Sequence, residues 1–138
     1  MGSSRIIVNL LRLILAGALI SSSTGWRKQE LAETQRPQAT EEGRVERLIK
    51  QLKSVRPQER GAAASALRTM GPAAKDAVPA LIKALGDEDW VLRQNAAEAL
   101  GEIGPAAKDA LPKLKELAEK DKDARVQQTA KQAIEKIQ

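Results

Sequence analysis

Asp87, Glu88, Asp89 and Arg93 bring acids and a base together at short spacing. Carboxylates two residues apart with a guanidinium close by could hold a cation, move a proton or anchor a polar ligand. The same residue types fit a structural task as well. Aspartates at a helix start accept backbone N–H groups and complement the positive end of the helix dipole. Asp87, Asp89 and Arg93 are therefore read as a capping network, not a ligand site. Elsewhere the chemistry is sparse. The chain has no His and no Cys, which removes the imidazole base, the thiol nucleophile and any nitrogen–sulfur metal set. Ser54 and Ser65 have no partner motif, and Gly101 and Gly104 close a helix where a phosphate loop would open one. No catalytic residue, metal ligand or cofactor is assigned.

The acidic turn takes its meaning from the helix after it. From Asp87 to Pro105 the chain reads DEDWVLRQNAAEALGEIGP, with Leu92, Ala96, Ala99, Leu100 and Ile103 at helical spacing. Gly104 stops that helix and Pro105 starts the next element. An earlier version, RGAAASALRTMGP, runs from Arg60 to Pro72. The step between Gly71 and Gly104 is 33 residues (104 − 71), and Arg60 to Arg93 and Pro79 to Pro112 repeat it. A fixed period of this size marks a helical repeat array. Three first helices carry apolar stripes: Val45, Leu48, Ile49 and Leu52; then Leu81, Ile82 and Leu85; then Leu111, Leu114 and Leu117. Each precedes a second helix, over roughly 57–70, 89–103 and 123–137. Pro79 and Pro112 lack the amide hydrogen that a helix interior needs, so their helices begin there or kink there. Ala73 to Ala77 forms a short leading turn. The fold class is all-α.

Composition agrees. Of 138 residues 42% are hydrophobic, yet the chain has only two Trp and no Phe or Tyr, so the core is aliphatic. The net charge of +5 is spread through alternating Lys and Glu, the pattern of a solvated helical surface. Without cysteine there is neither a disulfide framework nor a lipid-anchored lipoprotein.

Ahead of the repeats, residues 1–23 order a basic start, an unbroken apolar run from Leu13 to Ile20 and three serines, the layout of a secretory signal. Counted from Ile6 to Ile20 the apolar stretch spans about 22 Å as helix, against a hydrocarbon core of about 30 Å. A cleaved signal, an uncleaved membrane tether through residues 6–20, and an amphipathic surface helix are the three readings. The first sends the protein to the periplasm or outside the cell; the second keeps it on a membrane. Residues 24–43 are polar, with Pro37 among them, and read as a flexible spacer. The repeat domain is expected over 44–138.

The phrase D-x-D-x-x-[VL]-R-x-x-A-A-x-A-L-G-x-I-G is met by Asp87, Asp89, Leu92, Arg93, Ala96, Ala97, Ala99, Leu100, Gly101, Ile103 and Gly104. It resembles the HEAT-like repeats named after phycobilisome lyases, and AVPALIKAL (Ala77 to Leu85) resembles the other half of that unit. Ankyrin and tetratricopeptide phrases are missing. The resemblance covers 44–138, closest in the centre. It implies a short right-handed α-solenoid of about three helical hairpins in which Arg93 reaches back to the acidic turn. In the first repeat Ser54, Arg56 and Glu59 replace Asp87, Asp89 and Leu92, so Arg60 is expected to lack acidic partners; in the third, Gln127 replaces the arginine. Terminal repeats are commonly atypical, because one face meets water.

The resemblance also implies that the second-helix face is concave. Ser65, Arg68 and Thr69, then Glu98 and Glu102, then Lys131 and Gln132 would be exposed there. Trp90 either anchors a partner or covers the end of a neighbouring helix. Three functions are open on these grounds. The first is a non-catalytic protein-interaction module, monomeric, with an unidentified protein partner. The second, from the family name, is a part in bilin chromophore attachment. The third is nucleic-acid binding through Lys108, Lys113, Lys115, Lys120, Lys122 and Arg125, disfavoured because acids interleave and no aromatic is available for stacking.

Overall fold

The computed structural model describes residues 40–138. The expected signal or tether and most of the spacer fall outside the described residues. Thr40 is extended and its side chain accepts the Gly43 N–H at 3.1 Å, so helix α1 (Glu41–Gln51) starts three residues ahead of the expected boundary at 44. After it come α2 (Pro57–Met70), α3 (Val78–Ala84), α4 (Trp90–Ile103), α5 (Leu111–Lys120) and α6 (Ala124–Ile137). Two 3₁₀ segments, Gly71–Ala77 and Gly104–Ala110, lead into α3 and α5. No strand occurs among the described residues. The architecture is an all-α solenoid of three hairpins, α1–α2, α3–α4 and α5–α6.

Each second helix is 14 residues long, and α4 lies between α2 and α6. Alanine makes this close stacking possible: Ala63 and Ala64 on α2, and Ala96 and Ala97 on α4, have no exposed surface. Gly101 shows how tight the layer is, since a Cβ there would stand 3.1 Å from Ala133 Cα of α6. Leu67, Leu81, Leu85, Leu92, Leu100 and Leu114 fill the space between the layers and are fully buried. Ile103 and Ile137 close the far ends of their helices.

The hairpins are joined by identical devices. Gly71 (φ 55°) and Gly104 (φ 75°) end α2 and α4 in backbone conformations that a side chain resists. Proline comes directly after each glycine, and the two 3₁₀ segments have the same sequence, GPAAKDA. Ala74 and Ala107, both fully buried, leave helical geometry within them and turn the chain toward the next helix. Pro79 and Pro112 are the second residues of α3 and α5, where no amide hydrogen is missed, so those helices begin there and do not kink. No helix of the described residues is long and apolar enough to cross a membrane.

Candidate functional site

The turn before each second helix is built the same way three times. Ser54, Asp87 and Asp121 hold one equivalent position. Their side-chain oxygens accept the N–H two residues on, from Arg56 at 3.2 Å, Asp89 at 3.0 Å and Asp123 at 2.9 Å. Six residues on, a long side chain returns to the turn's carbonyl: Arg60 to Ser54 at 3.0 Å, Arg93 to Asp87 at 2.9 Å, Gln127 to Asp121 at 2.7 Å. Asp89 and Asp123 cap α4 and α6 by accepting from Val91 and Arg125, each at 2.9 Å.

Arg93 differs from the expectation in one respect. It reaches back to the carbonyls of Asp87 and Glu88, not to the carboxylates of Asp87 and Asp89. Its charge goes forward to the next repeat, where Nε and Nη2 donate to Asp121 at 2.8 and 2.9 Å. That hydrogen-bonded pair raises the Arg93 pKa and lowers that of Asp121. Arg60, expected to lack an acidic partner, likewise reaches forward and donates to Asp87 at 3.1 Å. The ladder thus runs between repeats. Arg60 precedes Asp87 by 27 residues and Arg93 precedes Asp121 by 28, close to one period less the six residues of the turn. That spacing is visible in the sequence, but only a stacked pair of hairpins gives it meaning.

On the second-helix face a groove of about 510 Å³ runs across α2, α4 and α6. Gly101 and Ala133 form its floor, and Arg68, Thr69, Glu98, Glu102 and Gln132 line it together with Thr129 and Lys136. Cross-repeat ion pairs span it: Arg68 with Glu98, and Lys136 with Glu102 at 2.5 Å. The Lys136 hydrogen bond is the main cause of a lowered Glu102 pKa. Gln94 donates to Glu98 at 3.1 Å and holds it from the same helix. Ser65 is half-buried beside this groove, its carbonyl accepting the Thr69 hydroxyl at 2.9 Å. Lys131 is exposed on α6 but does not line the groove. Lys136 and Thr129 escape the sequence reading, although Lys136 stands 34 residues after Glu102 and so in register with it.

Trp90 lies apart from these residues at the start of α4. It is half-buried against the core, and the Arg125 guanidinium sits 3.4 Å from its ring centre. Arg125 also donates to Asp123 at 2.7 Å, which together with the cap lowers the Asp123 pKa to about 2. The basic cluster is divided accordingly. Arg125 serves Trp90 and Asp123, and Lys113 pairs with Glu116 at 2.9 Å. Lys120 and Lys122 line a second groove, of about 550 Å³, with Glu88, Asp87 and Asp121, so its rim carries both signs. Among the described residues no group of His, Cys, Asp or Glu is placed to hold a metal.

Comparisons with known proteins agree with this geometry. No curated protein matches the chain. The crystal structure of an engineered protein is similar, with a TM-score of 0.62 and 33% sequence identity over 70% of this chain. The chain spans 46% of that protein's length. The family model for HEAT repeats matches residues 45–135, from the first stripe residue of α1 almost to the end of α6. Three stacked hairpins, a shared turn and a match over most of the chain lead to one assignment: this chain belongs to the HEAT-repeat family.

Proposed function

We propose that the chain is a non-catalytic interaction module that holds a protein segment in the groove across α2, α4 and α6. HEAT repeats generally mediate protein interactions. The observation that carries the reading is that polar and charged side chains of three successive repeats converge on one groove, with a floor of Gly101 and Ala133 that lets a backbone approach. Apolar side chains are nearly absent there, so recognition rests on hydrogen bonds and on exchange of the Arg68–Glu98 and Lys136–Glu102 pairs, and weakens with salt. The lyase-type repeat is the finer subtype that the Asp87–Gly104 phrase supports. Residues 1–23 add export or membrane tethering, and the module acts as a monomer.

A photo-crosslinking residue at Gln132 tests the groove, with the same residue at Lys83, exposed on α3, as control. A specific protein adduct from Gln132 alone, lost in Glu98→Lys, is the expected result. Equal labelling from both positions would remove the groove from the reading. The mass of the mature protein decides between cleavage and tethering.

A further inference from the structure

Two walls of the groove are carried by terminal repeats, and they are held to α4 unequally. Arg60 gives Asp87 one hydrogen bond, and its buried Nε meets no acceptor among the described residues. Arg93 gives Asp121 two. A buried donor with no acceptor has given up its hydration on closure and recovers it on opening, so it favours the open junction. A two-pronged arginine–carboxylate pair favours the closed one. The second helices also differ in burial: α2 buries Ala63, Ala64 and Leu67, and α6 buries Val126, Ala130, Ala133 and Ile137 along with Thr129. Fewer side chains of α2 than of α6 are buried.

We propose that the first repeat, α1 with α2, parts from α4 and unfolds as a unit ahead of the rest of the array, and that this opening gates the groove. Arg68 and Thr69 travel with α2, so the groove is whole only while the junction is shut. A segment bound to both α2 and α6 holds the junction closed, and by linkage a weakened junction lowers that segment's affinity. The gating half rests on the groove being the binding face; the order of opening does not.

Hydrogen exchange read by mass spectrometry on the full chain tests the opening. Amides of α2 are expected to exchange at least tenfold faster than those of α4 and α6. Arg60→Ala should speed α1 and α2 further and leave α6 unchanged. Because the chain has no cysteine, Gly61→Cys and Asn95→Cys put two thiols across the junction for oxidative locking, where a Gly61 Cβ would lie 4.0 Å from Asn95 Nδ2, the tip of that side chain. Oxidation should slow α2 to the rate of α4, and reduction should restore the difference. Uniform exchange through α2, α4 and α6, earlier opening of α6, or an α2 rate indifferent to the lock would each overturn the proposal. For the gate, the Gln132 crosslink yield should fall in Arg60→Ala and recover in the oxidised lock. An unchanged yield with altered exchange would refute the gate alone. Absence of any Gln132 adduct would refute the groove reading and leave the exchange result standing.

Discussion

Arg60 and Arg93 occupy equivalent places in α2 and α4, 33 residues apart, and both return to the carbonyl of their own turn. Their forward partners are not equivalent. Asp87 lies eight residues beyond Pro79 and Asp121 nine beyond Pro112, so the third repeat has one residue more between proline and acid. The helices differ as well: α5 runs to Lys120, while α3 stops at Ala84 and a turn through Gly86 leads to Asp87. The added residue accompanies the change from a single hydrogen bond to a two-pronged one. It also accompanies a drop in side-chain exposure of the acid, from 22% at Asp87 to 3% at Asp121. A repeat array is therefore uneven even where its signature residues recur. The ends of the ladder teach a related point. Ser54 stands where the central repeat has Asp87 and Gln127 where it has Arg93; both keep the contact of the turn and neither carries a charge.

The largest expected effect breaks both junctions together. Leu100 is fully buried in α4, the helix that α2 and α6 share, and Leu100→Ala should cost about 2–5 kcal/mol. A domain of this size has only about 5–15 kcal/mol in all, so thermal unfolding by circular dichroism should show a steep fall in Tm. An unchanged Tm would remove Leu100 from the core.

Next, the two arginines separate the junctions. Arg93→Ala leaves the nearly buried Asp121 carboxylate without its cation and should cost about 3 kcal/mol. Arg60→Ala removes one carboxylate bond, the contacts to the Ser54 and Val55 carbonyls and an unsatisfied donor, and about 1 kcal/mol is expected. Urea unfolding of both variants makes the comparison, and equal losses would erase the inequality of the junctions.

Acid titrates the stronger junction. Arg93 holds the Asp121 pKa below its ordinary 3.8, so the folded state binds that proton more weakly than the unfolded chain does. The resulting stability is fully present above the ordinary pKa and is lost as pH falls through the folded one. Melting between about pH 6 and about pH 2 should show a falling Tm below about pH 4. Asp121→Asn, less stable at neutral pH, should show a shallower fall. An identical acid response in the variant would mean that Asp121 does not carry it.

The smallest effect sharpens the picture at the edge of the same junction. Arg125→Ala uncovers Trp90 and should cost about 0.5–1 kcal/mol. In a Trp26→Phe background the emission of Trp90 should shift to the red, since water replaces the guanidinium. An unshifted spectrum would show that the stacking does not shield the ring.

Much of this molecule is determined by the sequence alone, because the physics involved is local. Apolar residues three and four apart make Leu92, Ala96 and Leu100 one face of a helix whatever lies beside it. Gly71 and Gly104 end their helices because few other residues accept a positive φ, and Asp89 caps because its oxygen reaches an N–H two residues away. The period of 33, the six helices and the capping aspartates all arise from interactions within a few turns of chain. The tertiary structure alone decided which charges meet. Arg93 could satisfy itself within its own turn or across to the next repeat, and both partners are acidic in the sequence. Arg60 and Arg93 make the same choice, and it depends on the rise between stacked hairpins, which periodicity does not reveal. The groove is decided likewise, since Glu102 and Lys136 meet only when Gly101 lets α6 approach α4 closely. Trp90 packs partly against the core and takes the Arg125 guanidinium of the neighbouring repeat over its ring, a pairing that residue order does not specify. Short-range geometry is written in residue order; the partners of long, charged side chains are set by how neighbouring hairpins stack.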